Sequence, residues 1–414
     1  MKIPGIVDHH KLKRRSRAGV WLLFFLLLAV AALFLNAYLQ GQPRDDARLT
    51  LVWRRPEGTA RRGWFLEPGG TLLGDGQRLL FLDQAGQKIR ELTGRPEILA
   101  ATSDGVATAS FGQNLVSYFS SQGALLWQWT MGEPVEGLRA GRELLLVNTR
   151  YNVTENQAPA AVPGGTLAMP ATSGANPKTP VKATGLTQVS GDLKVGNRVI
   201  LLDRRGRKLA QINLPQSLVT ALALDPEEGH LAIAALSNQD YQTSVVRVFD
   251  RRGQLLWERS LGQGLVPYLG LFSHGEALWA QVDHRLIWLG RNAPPRETGL
   301  GDAPLLAAAP GGWLAVGTRD STFPQKLLGQ GLINVFDPGG TLRWQRRLSK
   351  VAALSWSGNT LLVGTENSLL AFAETGKSSW RMELPGQLDQ LLVDPGGQKI
   401  LTIIRGGAAL YQSR

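Results

Sequence analysis

A short motif recurs along this 414-residue chain. Each copy has an apolar strand, an Asp or small polar residue, a glycine turn and a second strand. The clearest copies are residues 249–257 and 336–344, and 118–127 and 372–380 also end in Trp. Aligned on the turn glycine, most copies lie about 36–50 residues apart, which is the spacing of four-stranded propeller blades. The aligned glycines are Gly86, Gly123, Gly206, Gly253, Gly340 and Gly376.

The segments between these turns predict strands and not helices. Residues 219–224 and 230–235 are runs of apolar and small residues on either side of an Asp-Pro-Glu-Glu-Gly turn. The same order of short strands recurs at 351–384. Such runs, separated by Gly, Pro, Asn and Asp, are typical of antiparallel sheets. No amphipathic helical stretch follows residue 39, so we expect an all-β fold there.

The number of third strands predicts eight blades. Residues 408–412 form an eighth third strand with no fourth strand after it, and residues 49–55 resemble the fourth strand at 341–347. An open blade would leave backbone groups unpaired, so the two ends should pair. We therefore expect an eight-bladed β-propeller closed by its N-terminal outer strand. The other seven third strands lie near residues 79, 116, 199, 246, 286, 333 and 369.

The N-terminal residues predict one membrane anchor before the propeller. Residues 1–17 contain six basic residues and Asp8, a net charge of +5, and an apolar run of 18 residues follows. This length fits a spanning helix, and the basic cluster should stay on the cytoplasmic side. A cleaved signal peptide is the alternative. We expect a basic cytoplasmic tail at 1–17, a transmembrane signal anchor at 18–39, a linker at 40–48 and an extracytoplasmic propeller at 49–414.

Composition narrows the possible chemistry and partners. With no Cys, the chain has neither disulfides nor Cys-ligated metals nor thiol catalysis. The net charge is +12, and subtracting the +5 of the tail leaves +7 on the exported part. We interpret this charge as a solvated surface that protects sheet edges, with anionic lipid or cell-wall polymer as the alternative partner and nucleic acid not expected. The Arg pairs expected in turns and on outer strands are 54–55, 61–62, 204–205, 251–252 and 346–347.

Tryptophans at one repeated position connect the repeat to a known family. Trp127, Trp257, Trp344 and Trp380 each follow a turn glycine by four positions, and we expect them to pack between blades. Residues 371–380 resemble the tryptophan-docking repeat of the quinoprotein, or pyrroloquinoline-quinone-like, β-propellers. The resemblance covers roughly residues 49–412 and implies eight blades. It points to the cofactor-free, membrane-anchored branch that is similar to BamB-like propellers.

The quinone-dependent dehydrogenases of this family imply residues that the chain does not supply. Their adjacent Cys pair is missing, and a calcium site needs several converging oxygen ligands. The acidic residues occur singly, often in turns that Asp itself stabilises, as at Asp83, Asp203, Asp250 and Asp337. His230, His274 and His284 do not stand at a spacing from other residues that would indicate a catalytic or metal-binding site. The adjacent Asp283 should point away from His284. We therefore predict no catalytic, cofactor-binding or metal-binding residue and no cofactor.

Two segments interrupt the repeat. Residues 152–197 are rich in Pro, Ala, Gly, Thr and Ser, and they explain the long step from Gly123 to Gly206. We expect a disordered insertion between the second and third strands of blade 3, with a partner-binding arm as the alternative reading. Residues 319–330 form a smaller insertion in blade 6.

These features favour a non-enzymatic, membrane-tethered, extracytoplasmic propeller. We expect it to act as an interaction scaffold for an envelope protein or a cell-wall polymer. One alternative is a membrane-bound quinone-type dehydrogenase. A second is an extracytoplasmic ligand sensor, which a cytoplasmic tail of about 17 residues makes less attractive.

Overall fold

The computed structural model of the protein describes residues 49–56, 60–94, 98–102, 104–152, 195–237, 242–300, 304–319, 331–394, 396–405 and 407–413. All regular elements in these ranges are strands, so the predicted all-β class is confirmed there. The same ranges contain no helix of the length and apolarity needed to cross a membrane. The predicted anchor at 18–39 and most of both insertions lie outside the described residues.

The strands form eight antiparallel sheets of four strands, as the repeat predicted. We number them blades 1–8 and count the strands of each blade outward from the centre. Blades 1–4 contain β2 (Arg62–Leu66), β3 (Gly70–Gly74), β4 (Arg78–Leu82), β5 (Lys88–Thr93); β6 (Ile98–Ala101), β7 (Gly105–Ala109), β8 (Leu115–Ser120), β9 (Leu125–Thr130); β10 (Val135–Ala140), β11 (Leu144–Asn152), β12 (Val195–Asp203), β13 (Lys208–Leu214); and β14 (Ser217–Leu224), β15 (His230–Ser237), β16 (Thr243–Asp250), β17 (Leu255–Gln263).

Blades 5–8 have the same order of four antiparallel strands, except that the fourth strand of blade 8 is β1, which precedes blade 1 in the sequence. They contain β18 (Tyr268–Phe272), β19 (Ala277–Val282), β20 (Arg285–Gly290), β21 (Arg296–Gly299); β22 (Leu305–Ala308), β23 (Leu314–Arg319), β24 (Gly331–Phe336), β25 (Leu342–Leu348); β26 (Val351–Ser357), β27 (Thr360–Thr365), β28 (Ser368–Ala373), β29 (Ser378–Glu383); and β30 (Leu388–Val393), β31 (Lys399–Ile404), β32 (Gly407–Ser413), β1 (Leu49–Arg55).

The ring closes by pairing of β1 with β32. The register runs antiparallel from Leu49 opposite Ser413 to Arg55 opposite Ala408, with a bulge between Leu51 and Trp53. The predicted closure by an N-terminal outer strand is therefore present. It supplies partners to β32, the third strand of blade 8, which would otherwise be a long sheet edge.

The core is divided among the contacts between blades. The described residues form eight buried apolar clusters, one at each contact between neighbouring blades. Strand β28 shows how sequence produces this arrangement. Leu369 and Ala371 pack toward blade 8, whereas Leu370 and Phe372 pack toward blade 6. Because successive side chains alternate between the faces of a strand, both faces of a blade are apolar and buried.

The predicted inter-blade role of the tryptophans is confirmed. The indole N–H of Trp127 donates to the Arg204 carbonyl of blade 3 at 2.9 Å, and that of Trp344 donates to Glu374 of blade 7 at 2.6 Å. Trp257 makes the same kind of bond to Gly275 of blade 5 at 2.9 Å. Trp380 packs in the cluster between blades 7 and 8.

The turns follow the chemistry expected of them. In the turn after β16, the Asp250 carboxylate accepts the backbone N–H groups of Arg252 and Gln254 at 2.9 and 2.8 Å. Asp83, Asp203 and Asp337 accept backbone N–H groups in the matching turns. The six aligned turn glycines have φ values between 74° and 79°, the left-handed region that favours glycine.

Three details differ from the sequence expectations. Arg62 begins β2, an innermost strand, so the pair 61–62 lies neither in a tight turn nor on an outer strand. The third strand of blade 3 begins at Val195, because residues 195–197 extend the hairpin with β11 beyond the expected boundary. Asp283 and His284 form the turn between β19 and β20, with Asp283 at a φ of 49°.

Candidate functional site: two faces and a central channel

The ring has two faces, which contain different connections between strands. We call the first the terminal face; it contains the turns between first and second strands and between third and fourth strands. Leu49 and Ser413 pair at this face, where β1 begins and β32 ends. The chain therefore leaves the propeller toward residue 48 from the terminal face.

We call the opposite side the insertion face; it contains the second-to-third-strand turns and the connections between blades. Asn152 and Val195 form the last pair of the β11–β12 hairpin, and Arg319 and Gly331 form the last pair of β23 and β24. Both interruptions of the repeat therefore begin and end on the insertion face, in blades 3 and 6. This confirms their expected positions between second and third strands.

Large apolar side chains are exposed on the insertion face. Phe111, in the second-to-third-strand turn of blade 2, is 60% exposed, and Leu265, before blade 5, is 49% exposed. Tyr268 begins the innermost strand of blade 5 and is 56% exposed.

The central channel contains a cavity of about 710 Å³ bounded by the innermost strands of blades 3–6. Much of its wall is apolar, including Leu138, Leu222 and Leu306, and Tyr268 lies at its end on the insertion face. A cavity of this size lies within the range of about 300–1,000 Å³ that small-ligand sites occupy.

A few polar groups interrupt this apolar wall. Glu136 lines the cavity, and its carboxylate binds Arg150 at 2.6 Å and Asn197 at 3.3 Å. Arg139 and Asn148 also line it. Of these two, the Arg139 side chain is exposed and that of Asn148 is 4% exposed.

The histidines of the terminal face form pairs with acidic residues. His230 Nδ1 lies 3.0 Å from a buried Asp225 carboxylate oxygen, and His274 Nδ1 lies 2.7 Å from Glu227. Across the described ranges, no three His, Asp or Glu side chains converge as metal ligands. The Asp225–His230 pair was not predicted from the sequence, although a spacing of five residues across a turn could have indicated it. His9 and His10 lie outside the described residues.

Glu228 connects two blades at the same face. Its carboxylate lies in blade 4 and accepts the backbone N–H groups of Arg142 and Glu143 in the first turn of blade 3. Glu228 is only 6% exposed. Burial raises its pKa, although backbone N–H donors, including that of Glu143, act in the opposite direction.

The sequence prediction named no site residues, so Arg139 and Asn148 are additions from the structure. Neither belongs to a recognisable motif, since Arg139 is one of 45 basic residues in the chain. The signal that could have singled them out is position. Both residues lie in the inner hairpin of blade 3, formed by β10 and β11, where most neighbours are apolar and a buried polar group such as Asn148 needs a reason.

Known proteins resemble this chain in sequence over part of its length and in fold over most of it. Residues 242–384, from β16 to β29, match the family described as outer membrane protein assembly factor BamB. No curated protein matches the chain. The crystal structure of BamB from Moraxella catarrhalis is similar, with a TM-score of 0.52, 12% identity, and coverage of 88% of this chain and 99% of that one.

A second solved structure extends the comparison beyond that family. Sqt1 from Saccharomyces cerevisiae has a TM-score of 0.53 and 12% identity, over 89% of this chain and 97% of that one. At such low identity both likenesses concern the fold alone, because one propeller fold serves many unrelated functions.

Proposed function

Because the chain is an eight-bladed β-propeller with pyrroloquinoline-quinone-like repeats, we propose that it is a non-enzymatic scaffold tethered to a membrane. In this proposal residues 18–39 anchor the chain, the propeller lies outside the cytoplasm, and the insertion face binds a protein of the cell envelope. A cell-wall polymer is the alternative partner.

The placement of the chain ends supports this orientation. Strand β1 begins on the terminal face, and the linker of residues 40–48 spans at most about 35 Å when fully extended. The terminal face would then lie next to the membrane. The insertion face would point away from it, toward other components of the envelope.

The observation on which the proposal rests is that three features share the insertion face. They are the ends of the long insertion in blade 3, the ends of the smaller insertion in blade 6, and exposed apolar side chains in blade 2 (Phe111) and blade 5 (Leu265 and Tyr268). Loops on a rigid scaffold are common places for recognition. The name of the matching family, an assembly factor, favours a binding role over a catalytic one.

Site-specific photocrosslinking in cells tests the proposal. A photoreactive amino acid replaces Leu265 on the insertion face or, as control, Leu125 on the outer strand β9; both side chains are 49% exposed. We expect a discrete crosslinked protein or polymer band from position 265 and none from position 125. Equal labelling from both positions, or a band only from position 125, would contradict the use of the insertion face.

A second measurement separates the scaffold from the dehydrogenase alternative. Purified protein is incubated with pyrroloquinoline quinone and calcium, and dye reduction is followed with alcohols and sugars. We expect no turnover above protein-free controls. Saturable turnover would replace the scaffold proposal with the enzymatic one.

A further inference from the structure

We propose that the outer rim of the terminal face in blades 3 and 4 binds the anionic lipid headgroups of the membrane that holds the anchor. We call this surface the basic rim. This contact rests on the proposed anchoring by residues 18–39, but it does not involve the insertion face. The basic rim consists of Arg205, Lys208, Leu209, Arg251, Arg252 and Leu255.

Basic residues concentrate in two neighbouring turns of the terminal face. Residues 203–208 and 250–255 connect the third and fourth strands of blades 3 and 4. Together they contain six basic and two acidic residues, a net charge of +4. The matching turns of other blades have net charges of −1 or 0, so the positive charge lies on one side of the ring. Those turns are residues 83–88, 120–125, 337–342 and 373–378.

Packing between blades 3 and 4 joins the two turns into one surface. A Cβ placed on Gly253 would lie 3.3 Å from Cβ of Ala210 in β13. Gly253 directly follows Arg252, and Ala210 directly follows Leu209. The arginine turn of blade 4 therefore lies against the beginning of the outer strand of blade 3, beside the exposed leucine.

The acidic groups beside the rim already have basic partners. Asp203 binds Arg207 at 2.6 Å, and Arg204 binds Asp104 at 2.9 Å and Glu143 at 3.3 Å. The four basic side chains of the rim are exposed, and within the described ranges they form no ion pair. Lipid headgroups can therefore reach them without displacing an internal carboxylate.

Exposed apolar side chains occur at the same end of the outer strands. Among the described residues, eight of the twelve exposed large apolar side chains lie within the first four residues of a fourth strand. Every fourth strand begins at the terminal face, so these side chains surround that face; Leu209 and Leu255 belong to them. Apolar groups beside Lys and Arg suit a membrane interface, where they enter the headgroup region while the basic groups attract anionic lipid.

The position of the tether favours lipid over a soluble acidic partner. Strand β1 of blade 8 begins at the terminal face, and blade 4 lies opposite blade 8 in the ring of eight. Residues 40–48 reach at most about 35 Å, so the terminal face stays near the membrane. A ring held only at blade 8 can tilt about that point. A second contact at blades 3 and 4 would hold the terminal face against the membrane, and a soluble partner would have to enter the space between them.

The test uses the full chain in vesicles of phosphatidylcholine alone or with phosphatidylglycerol. A fluorophore on Gln254→Cys, an exposed position beside Leu255, reports contact with quenchers attached to lipid headgroups. We expect about twofold stronger quenching in the anionic vesicles. Arg205→Gln/Arg251→Gln/Arg252→Gln should abolish that difference, and 1 M salt should reduce it because salt screens surface charges.

A matched variant separates the position of the charge from its amount. Arg61→Gln/Arg62→Gln/Arg405→Gln removes the same charge from exposed positions of the insertion face and should keep the wild-type difference. Thermal melts verify that both triple variants remain folded. Equal quenching in the two vesicle types, which a protein or polymer partner would produce, or an unchanged difference in the rim variant would overturn the proposal.

Extraction with alkaline carbonate tests the anchor by itself. We expect the chain to stay with the vesicles in the wild type and in both triple variants. Release of the chain would contradict the proposed tether and the rim contact together. Retention without dependence on lipid charge would contradict the basic rim alone and leave the scaffold proposal intact.

Discussion

At the scale of single residues, four of the six aligned turn glycines (Gly86, Gly206, Gly340 and Gly376) meet two requirements at once. Gly376 has a φ of 78°, and a Cβ there would lie 2.8 Å from Cγ of Trp344 in the preceding blade. Gly206 and Gly340 meet Trp127 and Trp288 in the same way. The left-handed backbone and the close contact with an indole ring therefore both favour glycine at this position.

Gly376→Ala should destabilise the protein more than Gly112→Ala. Gly112 has a similar φ of 73°, but a Cβ there would have no neighbour within 4 Å. Both substitutions should cost about 1–2 kcal/mol for the left-handed backbone. Only Gly376→Ala also displaces Trp344, at roughly 1–3 kcal/mol more.

Urea denaturation of the two variants measures this difference. The larger loss in unfolding free energy should accompany altered tryptophan fluorescence in Gly376→Ala only. Equal losses for both variants would mean that the indole contact contributes nothing beyond backbone strain.

Glu228 should give the protein a pH-dependent stability of defined sign. Burial raises its pKa above the ordinary 4.5, so the folded state holds this proton more tightly than the unfolded state. The associated stability is present below pH 4.5 and is lost as pH rises through the raised pKa. The free energy of unfolding of the wild type, relative to Glu228→Gln, should therefore fall as pH increases.

Denaturation at a series of pH values from about 4 to 8 checks this prediction. Glu67→Gln, an exposed glutamate in the matching turn of blade 1, is the control and should follow the wild type. A difference between wild type and Glu228→Gln that stays constant with pH would show that Glu228 has no raised pKa.

Residues whose role depends on their position in the repeat could be predicted from the sequence. The turn aspartates, the turn glycines and Trp127, Trp257 and Trp344 have the roles that their spacing predicted. Asn148 could not be predicted in this way, because the lack of a partner for its buried Oδ1 depends on how blades 3 and 4 meet. The spacing of residues in the sequence does not show which buried polar atoms will lack a hydrogen-bond partner.

At the scale of elements, blade 5 shows how the ring tolerates a degenerate repeat. Its fourth strand β21 has four residues and no tryptophan. Trp288 of the third strand β20 packs instead against the turn glycine of blade 6, at 2.7 Å from a Cβ placed on Gly340. The indole contact between blades persists although the sequence position that supplies it has moved.

Replacing residues 153–194 with Asn-Gly should leave the propeller intact. Asn152 and Val195 are already the last pair of their hairpin, and Asn-Gly is the preferred two-residue turn between antiparallel strands. We expect the thermal midpoint to change by less than about 1.5 °C, which corresponds to less than about 1 kcal/mol for a protein of this size.

Deletion of residues 49–55 is the contrasting variant. It removes the partner of β32 and the buried Trp53, and it should lower the midpoint strongly and promote association through the exposed edge. Size-exclusion chromatography with calorimetry distinguishes the two variants. Strong destabilisation by the Asn-Gly replacement would show that the insertion supports the fold.

At the scale of the whole molecule, the proposed anchor fixes which face lies near the membrane. The chain has no Cys, so single-Cys variants need no prior substitutions. Gln122→Cys labels the terminal face and Gln113→Cys labels the insertion face, both at exposed positions of blade 2.

Fluorophores on these two cysteines should respond differently in reconstituted membranes. Quenchers attached to lipid headgroups should reduce the emission from position 122 more than that from position 113, because the linker of residues 40–48 reaches at most about 35 Å. Stronger quenching at position 113 would reverse the proposed orientation. Equal, weak quenching at both would indicate that the propeller is not held at the membrane.

The pairing of Leu49 with Ser413 also affects the order in which the fold can form during synthesis. Of the described strands, β1 leaves the ribosome first and its partner β32 leaves it last. At about 5–20 residues per second, β1 waits roughly 20–70 seconds for that partner. Seven blades can form while blade 8 stays incomplete, so any interruption of translation yields an open ring with an unpaired edge. Blade 8 is therefore completed only after the strands of the other seven blades have been made.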